Sequence, residues 1–451
     1  MNTSNPYQLD TQDIQEPPLS FRGRLTHLGP GFILSASIVG SGELIATTTL
    51  GAEAGFVTLW VILVSCLVKV AVQLEFGKQA IISGKTSMQL FNELSGPRLG
   101  QAHWSIWSFL SLMILKIIQI GGIIGGVAII ATLIFPQLNL ILAAYIIAVM
   151  VALMIFQGMY AFIEKFSLTL IALFSLFTLY SLVALQATDY MIHWSDIFSG
   201  LRFSLPAEAV GVAIAAFGIT GVGGDEIIAY NYWCLEKGYA RKTGPYQPGD
   251  QAWVDRAKGW IKVMQLDAIA SMTVYTILTI AFYLLGAAVL HRTGQVPEGY
   301  ETINILSEMY TQALGEGVKN IFVAGAFIVL FSTLFAALAA WTRLFSDIFG
   351  QIGWINYLNQ KHRRRSIALL AWILPLTWAT LYAFLQLPVV MVLIGGVITS
   401  VILLFVVYAA LDFRYKKVVA GIESSKSYDL ILWVSSIAIF MLAIYGLLKL
   451  M

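Results

Sequence analysis

Apolar residues along this chain gather into long blocks separated by short polar connections. Runs of roughly 20 apolar residues, the length that crosses a hydrocarbon core of ~30 Å, begin near Pro30, Phe56, Trp104, Leu138, Phe166, Ala207, Ile261, Val318, Ile367, Val389 and Leu430. The pattern predicts eleven transmembrane helices and an all-α integral membrane protein. The longest polar connection, roughly Glu236 to Gly259, is too short and too rich in Gly and Pro to build a core of its own. One membrane domain is therefore expected.

Composition agrees with this reading. Of 451 residues, 58% are hydrophobic and 12% charged, against about 25% charge in a soluble globular chain. The first 28 residues are polar, contain Pro17-Pro18, and lack the layout of a secretory signal; they read as a loose tail. Cys66 and Cys234 have no ligand-like spacing. A net charge of +2 spread over many loops gives no basic face, so no nucleic acid is expected as partner. The lipid bilayer is, and no obligate protein partner is evident.

The charge distribution carries topology. Segments 1–28, 78–102, 161–165, 236–262, 343–365 and 414–426 hold 21 of the 27 Lys and Arg, whereas the alternate connections hold Arg202, Arg292, Lys319 and Lys449. The positive-inside rule then places the amino terminus in the cytoplasm and the carboxy terminus outside. Lys69 and Lys116 belong to neither set and fall within spans. Glu164-Lys165 is assigned to a loop.

Two of the apolar blocks share a motif: "GSGELIAT" (40–47) in span 1 and "GGDEIIAY" (223–230) in span 6. Five spans separate the two starting points, and an odd number inverts the second unit in the bilayer. A 5+5 inverted repeat in which helices 1 and 6 are broken is the expectation for a transporter of the LeuT type. The core is assigned to 29–412, with an eleventh span and the carboxy terminus in 413–451. Backbone freed from helix hydrogen bonds at membrane depth lines a cavity or is buried in protein, so Gly40, Ser41 and Gly42, and Thr220, Gly221, Gly223 and Gly224, are expected to border a cavity.

A carboxylate at mid-membrane costs about 2.5–3.5 kcal/mol on insertion scales and marks a functional site by default. Glu43, Asp225 and Glu226 lie at matching depths and are expected to converge there. Carboxylates, free carbonyls and the hydroxyls of Ser41 or Thr220 would suit a hard cation such as Mg²⁺, Ca²⁺ or Mn²⁺. The same broken helices also present free N–H groups to an anion, so a small carboxylate such as citrate, or a metal–carboxylate complex, is the alternative substrate. Lys116, Lys69, Glu75 and Asp267 are candidates for coupling or for contact with an anion, beside an ordinary role in ion pairs. Tyr230, Tyr232 and Trp233 could line the cavity.

The chain contains no nucleotide-binding glycine loop, no His-Glu-x-x-His pair and no Gly-x-Ser-x-Gly elbow, so an enzyme is not expected. Neither is a resident cofactor; any metal would be cargo.

"GPGFILSASIVGSGELIATTTLGAEAG" (29–55) resembles the first span of the Nramp divalent-metal transporters, where a Gly-Pro-Gly-Phe start leads into an Asp-Pro-Gly-Asn break. The likeness continues in "GKQAIISGKT" (77–86), "IEKFSLTLIAL", "VMQLDAIAS" and "LFSTLFAALAA". It implies an eleven-span LeuT-type fold, a cytoplasmic amino terminus and proton-linked metal uptake. The departures matter as much. Aligned without gaps, the family's metal-binding Asp falls on Gly40, its Pro on Ser41 and its metal-binding Asn on Glu43. Its Met-Pro-His of span 6 falls near Gly223-Gly224-Asp225, and an acid of its span 3 falls on Lys116. Loss of the thioether and histidine implies a weaker preference for transition metals over Mg²⁺ or Ca²⁺.

Overall fold

The computed structural model describes residues 5–40, 42–156, 160–423 and 425–450. Apart from one short hairpin pairing Arg98–Leu99 with Ala102–His103, these residues form helices and their connections. Eight helical runs are long and apolar enough to cross a membrane: Gly42–Ser83, Trp104–Ile134, Val210–Glu236, Gln251–Thr293, Glu316–Ile352, Gln360–Leu385, Pro388–Lys416 and Lys426–Gly446. Leu140–Phe156 and Ile171–Ala187 are shorter apolar helices.

Both copies of the repeated motif interrupt a helix. Helix α1, Pro30–Ile38, begins with proline at its first turn, where a missing N–H costs nothing. The chain leaves the helix at Val39 and Gly40 and re-enters it as a wide π-type segment, Gly42–Thr47, followed by α2, Thr48–Ala54. π-type turns are rare and concentrate at functional sites. Gly55, at φ +60°, turns the chain toward α3, Leu59–Ser83. Helix α4 is Trp104–Ile134. In the second copy, α5, Val210–Ile219, stops at an extended Thr220; Gly221 takes φ +68°, a conformation natural only to glycine, and α6 resumes over Gly224–Glu236.

Helix α7, Gln251–Leu285, packs along α3; α8 is Lys319–Ile352; α9, Pro388–Lys416, packs on both α4 and α5. The two interrupted helices are thereby enclosed by α3, α4, α7, α8 and α9 in the interior of the bundle. Close approach is part of the design: a Cβ at Gly40 would stand 1.7 Å from Thr333 Oγ1 of α8. The glycine expected to loosen the backbone also admits a neighbouring helix.

Three expectations need correction. Residues 5–20 are not a loose tail. The Tyr7 ring is buried, lies under the Arg363 guanidinium at 4.8 Å, and its hydroxyl donates to Glu236 Oε1 at 2.6 Å. Farther along, the Gln15 amide donates to the Lys242 carbonyl at 2.9 Å, and Trp260 Nε1 donates to the Gln15 carbonyl at 3.0 Å. An aromatic ring and backbone groups gave this segment partners that its overall polarity concealed. The 236–259 connection is also shorter than expected: α7 starts at Gln251, capped by the Asp250 side chain, and Tyr239–Thr243 is helical. Residues 164 and 165 lie within the helix Tyr160–Ala184, not in a loop.

Candidate functional site

A cavity of about 50 Å³ opens where the interrupted helices face α4 and α8. At about 10–15 Å³ for each water-sized occupant, it holds roughly four waters. Its polar lining comes from Ser37 of α1, Gly42, Lys116 and Gln119 of α4, Gly223, Asp225 and Glu226 of α6, Thr333 of α8, and the indoles of Trp233 and Trp341. None of the lining residues is His, Cys or Met, so the side chains offer oxygen, not soft sulfur or imidazole nitrogen, to a cation.

Helix geometry explains this cluster. Asp225 and Glu226 occupy the first turn of α6, where the positive end of the helix dipole favours acids. Glu226 Oε2 accepts from the Gly223 amide at 2.7 Å and caps its own helix, while Oε1 accepts from Ser37 Oγ at 2.8 Å. Asp225 Oδ1 pairs with the Lys116 ammonium, and its Oδ2 accepts from Trp341 Nε1 at 3.1 Å. Lys116 and Asp225 are buried with side-chain exposures of 4% and 6%. Trapping both charges without water is costly unless they stay paired. Gln119 Oε1 is buried and has no hydrogen-bond donor.

The expected convergence of three acids does not occur. Glu43 is fully buried but turns to α7, where Oε1 accepts from Thr279 Oγ1 at 3.0 Å, and it does not line the cavity. Among the described residues no group of three Asp, Glu, His or Cys is placed to hold a metal. The metal-ligand assignment of Glu43 alongside Asp225 and Glu226 is corrected accordingly. The wide turn of Gly42–Thr47 sets Glu43 within hydrogen-bond reach of Thr279 on α7 and off the cavity lining.

The remaining candidates separate by role. Gly42 and Gly223 border the cavity; Gly40 and Gly224 serve packing, the latter against Ile402 and Leu403 of α9. Ser41 lies outside the described residues. The Thr220 hydroxyl is 3.0 Å from that of Thr47 and does not line the cavity.

Lys69 donates to the carbonyls of Phe217, Gly218 and Thr220 and so closes the carboxy-terminal end of α5, where the dipole favours a cation. Asp267 accepts from the Gly29 and Gly31 amides and caps α1. Glu75 borders a different, surface cavity with Lys78, Lys258 and Tyr428. Lys69, Asp267 and Glu75 therefore lie off the central cavity, whereas Lys116 is within it. The aromatic trio divides too: Trp233 lines the cavity, Tyr230 reaches Asp267, and Tyr232 donates to Asp347 at 2.6 Å.

Sequence reading missed Ser37, Gln119, Thr333 and Trp341. Ser37 and Thr333 look like ordinary small polar residues of a membrane helix. Trp341 sits within a membrane span, where its N–H needs an acceptor; that requirement was the available signal.

Comparison with known proteins agrees with the architecture. Residues 31–449 match the family described as natural resistance-associated macrophage protein-like, Nramp. A divalent metal cation transporter, MntH, of Levilactobacillus brevis is 24% identical over 452 residues, covering 97% of this chain and 92% of that one. An uncharacterised protein of Pasteurella multocida is 23% identical over 350 residues, 74% of this chain and 72% of its own. Among solved structures, the manganese transporter of Eremococcus coleocola superposes with a TM-score of 0.68 at 16% identity, covering 97% of this chain and 90% of that chain. Mhp1, a nucleobase-cation-symport-1 family transporter, gives 0.58 at 15% identity, with 93% and 92% covered.

Proposed function

This chain belongs to the Nramp-like family and is an integral membrane protein with a LeuT-like fold, and on that premise we propose that it is a secondary transporter carrying a hard divalent cation through the Asp225–Glu226 cavity. The observation that carries the reading is the pairing of two adjacent carboxylates with space for about four waters. Mg²⁺ and cations like it keep several waters and bind through one or two carboxylates, and the lining offers no soft side-chain ligand. The family supports transport over catalysis, and the MntH relatives support a metal as cargo.

The plain organic anion loses ground on two counts. Lys116 is already paired with Asp225, and the Gly223 amide is already bonded to Glu226, which leaves neither free for a carboxylate. A cavity of about 50 Å³ is also small for citrate. Lys116 instead acts as a tethered stand-in: its ammonium holds Asp225 until the arriving cation replaces it.

We read eleven passes in all. Two five-pass units of opposite orientation occupy 29–412, with passes 1 and 6 broken, and the eleventh lies in 413–451. The Lys and Arg excess supports a cytoplasmic tail at 1–28 and an external carboxy terminus. The test is uptake of Mn²⁺ and Mg²⁺ into proteoliposomes, with and without citrate. Bare-cation uptake that is lost in both Asp225→Asn and Glu226→Gln is the expected result. Uptake seen only with citrate, or retained in both variants, would overturn the reading.

A further inference from the structure

We propose that a groove between the end of α8 and the helix Gln360–Leu385 binds one anionic phospholipid, with the phosphate on Arg365 and His362 and an acyl chain along Leu369 and Ile373. The proposal rests on membrane insertion and not on the identity of the cargo.

The groove has a volume of about 840 Å³, against about 50 Å³ for the central cavity, and falls in the ~300–1,000 Å³ range of sites that take small organic molecules. One wall is Phe349, near the end of α8, with Trp354 of the connection that follows, their rings 5.2 Å apart. The other wall is the helix Gln360–Leu385, from which His362, Arg365, Leu369 and Ile373 line the groove. Their spacings of three, four and four residues keep them on one face. Along that stripe the chemistry changes once, from basic at the start of the helix to aliphatic farther in. The eight residues from Arg365 to Ile373 rise about 12 Å at 1.5 Å per residue, most of one leaflet of a ~30 Å hydrocarbon core. Trp354, Leu369 and Ile373 are exposed, so this apolar surface lacks a protein cover among the described residues.

Charge selects the headgroup. None of the lining residues is Asp or Glu. Arg292, Arg343 and Arg414 are each held by an acid, whereas Arg365 is exposed and has no ion pair among the described residues. A guanidinium holds two oxygens of one phosphate at once. The amides at the helix end are not the anchor: those of Lys361, His362 and Arg363 are already bonded to Asn359, so side chains carry the phosphate. The helix opens with Lys361, His362, Arg363, Arg364 and Arg365 and no acid in its first turn, an arrangement that the helix dipole disfavours and a bound anion relieves. Arg363 is turned inward to Asn5 and Tyr357. The orientation proposed above puts this end at the cytoplasmic leaflet, where anionic lipids attract basic residues. Positive charge on that side needs no groove of its own; here it stands at the head of an apolar one. The cavity at Lys78, Lys258 and Lys262 also holds Glu75 and Glu423, so it offers an anion no comparable preference.

The experiment is native mass spectrometry of the full chain in detergent, titrated with phosphatidylglycerol or with phosphatidylcholine carrying the same acyl chains. One phosphatidylglycerol should bind about tenfold more tightly than phosphatidylcholine, ~1.4 kcal/mol. Arg365→Gln should reduce that preference about fivefold, the effect of one basic residue at a charged surface, and His362→Gln should weaken it as well. Both side chains are exposed, so neither change endangers the fold. Lys258→Gln, in the mixed-charge cavity, should leave the preference unchanged, and soluble glycerol phosphate should not displace the lipid. At one lipid per protein, phosphatidylglycerol with brominated chains should quench a fluorescence component that Trp354→Phe removes. Equal binding of the two lipids, a preference that survives Arg365→Gln or falls equally in Lys258→Gln, displacement by glycerol phosphate, or quenching that Trp354→Phe leaves unchanged would each overturn the proposal.

Discussion

The ammonium of Lys116 is paired with Asp225 Oδ1 in the bundle interior, with both side chains nearly devoid of solvent. Removing one member of such a pair costs about 3–5 kcal/mol, because the other is left buried and uncompensated. Lys116→Gln is therefore expected to lower the melting temperature in the absence of metal. Because the ammonium no longer competes for Asp225, Mn²⁺ should bind about tenfold more tightly, ~1.4 kcal/mol, and restore much of the lost stability. Thermal unfolding with and without Mn²⁺ checks both effects. A variant that loses stability and gains nothing from metal would mean that Lys116 is not a stand-in for the cargo.

Gly40 and Thr333 give a second test. The clash of a Cβ at Gly40 with Thr333 Oγ1 at 1.7 Å should make Gly40→Ala cost about 1–3 kcal/mol, the usual range for overpacking. Adding Thr333→Ala removes the obstructing hydroxyl and should recover at least half of that loss. Additive losses in the double variant would show that the glycine is needed for its backbone and not for the approach of α8.

Asp267 bonds two amides at the start of α1, and Tyr230 adds a third bond at 3.3 Å. Asp267→Ala leaves the Gly29 and Gly31 amides without that acceptor, while Tyr230 keeps the Met264 carbonyl at 3.3 Å, a loss of about 1–3 kcal/mol. The expected result is a lower unfolding temperature with Mn²⁺ affinity unchanged, since Asp267 does not line the cavity. A large change in affinity at constant stability would instead draw Asp267 into the site.

Tyr7 reaches a Glu236 carboxylate that Arg343 also holds, at 2.6 and 3.0 Å. Tyr7→Phe removes one bond to a charged acceptor, worth about 1.5–3 kcal/mol, while Glu236 keeps its arginine. Hydrogen–deuterium exchange over residues 5–20 should accelerate roughly tenfold or more, with exchange in the bundle unchanged.

The sequence made the two helix breaks legible because glycine clusters followed at once by acids are hard to explain otherwise at membrane depth. It also located Asp225, Glu226 and Lys116, since interior charge is rare enough to be informative. What it could not show was direction. Successive helical residues turn by about 100°, so whether Glu43 lines the cavity beside Glu226 or bonds Thr279 of α7 depends on the wide π-type turn, which no pattern of letters announces. Ser37 and Trp341 were hidden for another reason: their contribution depends on which helix faces which. The tail was misread because polarity was averaged over 28 residues, whereas its attachment rests on Tyr7 and a few backbone groups.

That attachment bears on the order in which the molecule can be completed. Residues 5–20 are made before all of their partners, and Asn5 accepts from Arg363 at 2.8 Å, 358 positions later. The seat of residues 5–20 is therefore built in stages: Glu236, Lys242 and Trp260 supply the first contacts, and Arg363 adds the last when about four-fifths of this chain is present. A product ending between Trp260 and Arg363 keeps the partners of Tyr7 and Gln15 but lacks the Arg363 contacts with Asn5 and the Tyr7 ring, so its first residues are held less firmly. Full docking of residues 5–20 thus depends on a helix that begins more than three hundred residues downstream.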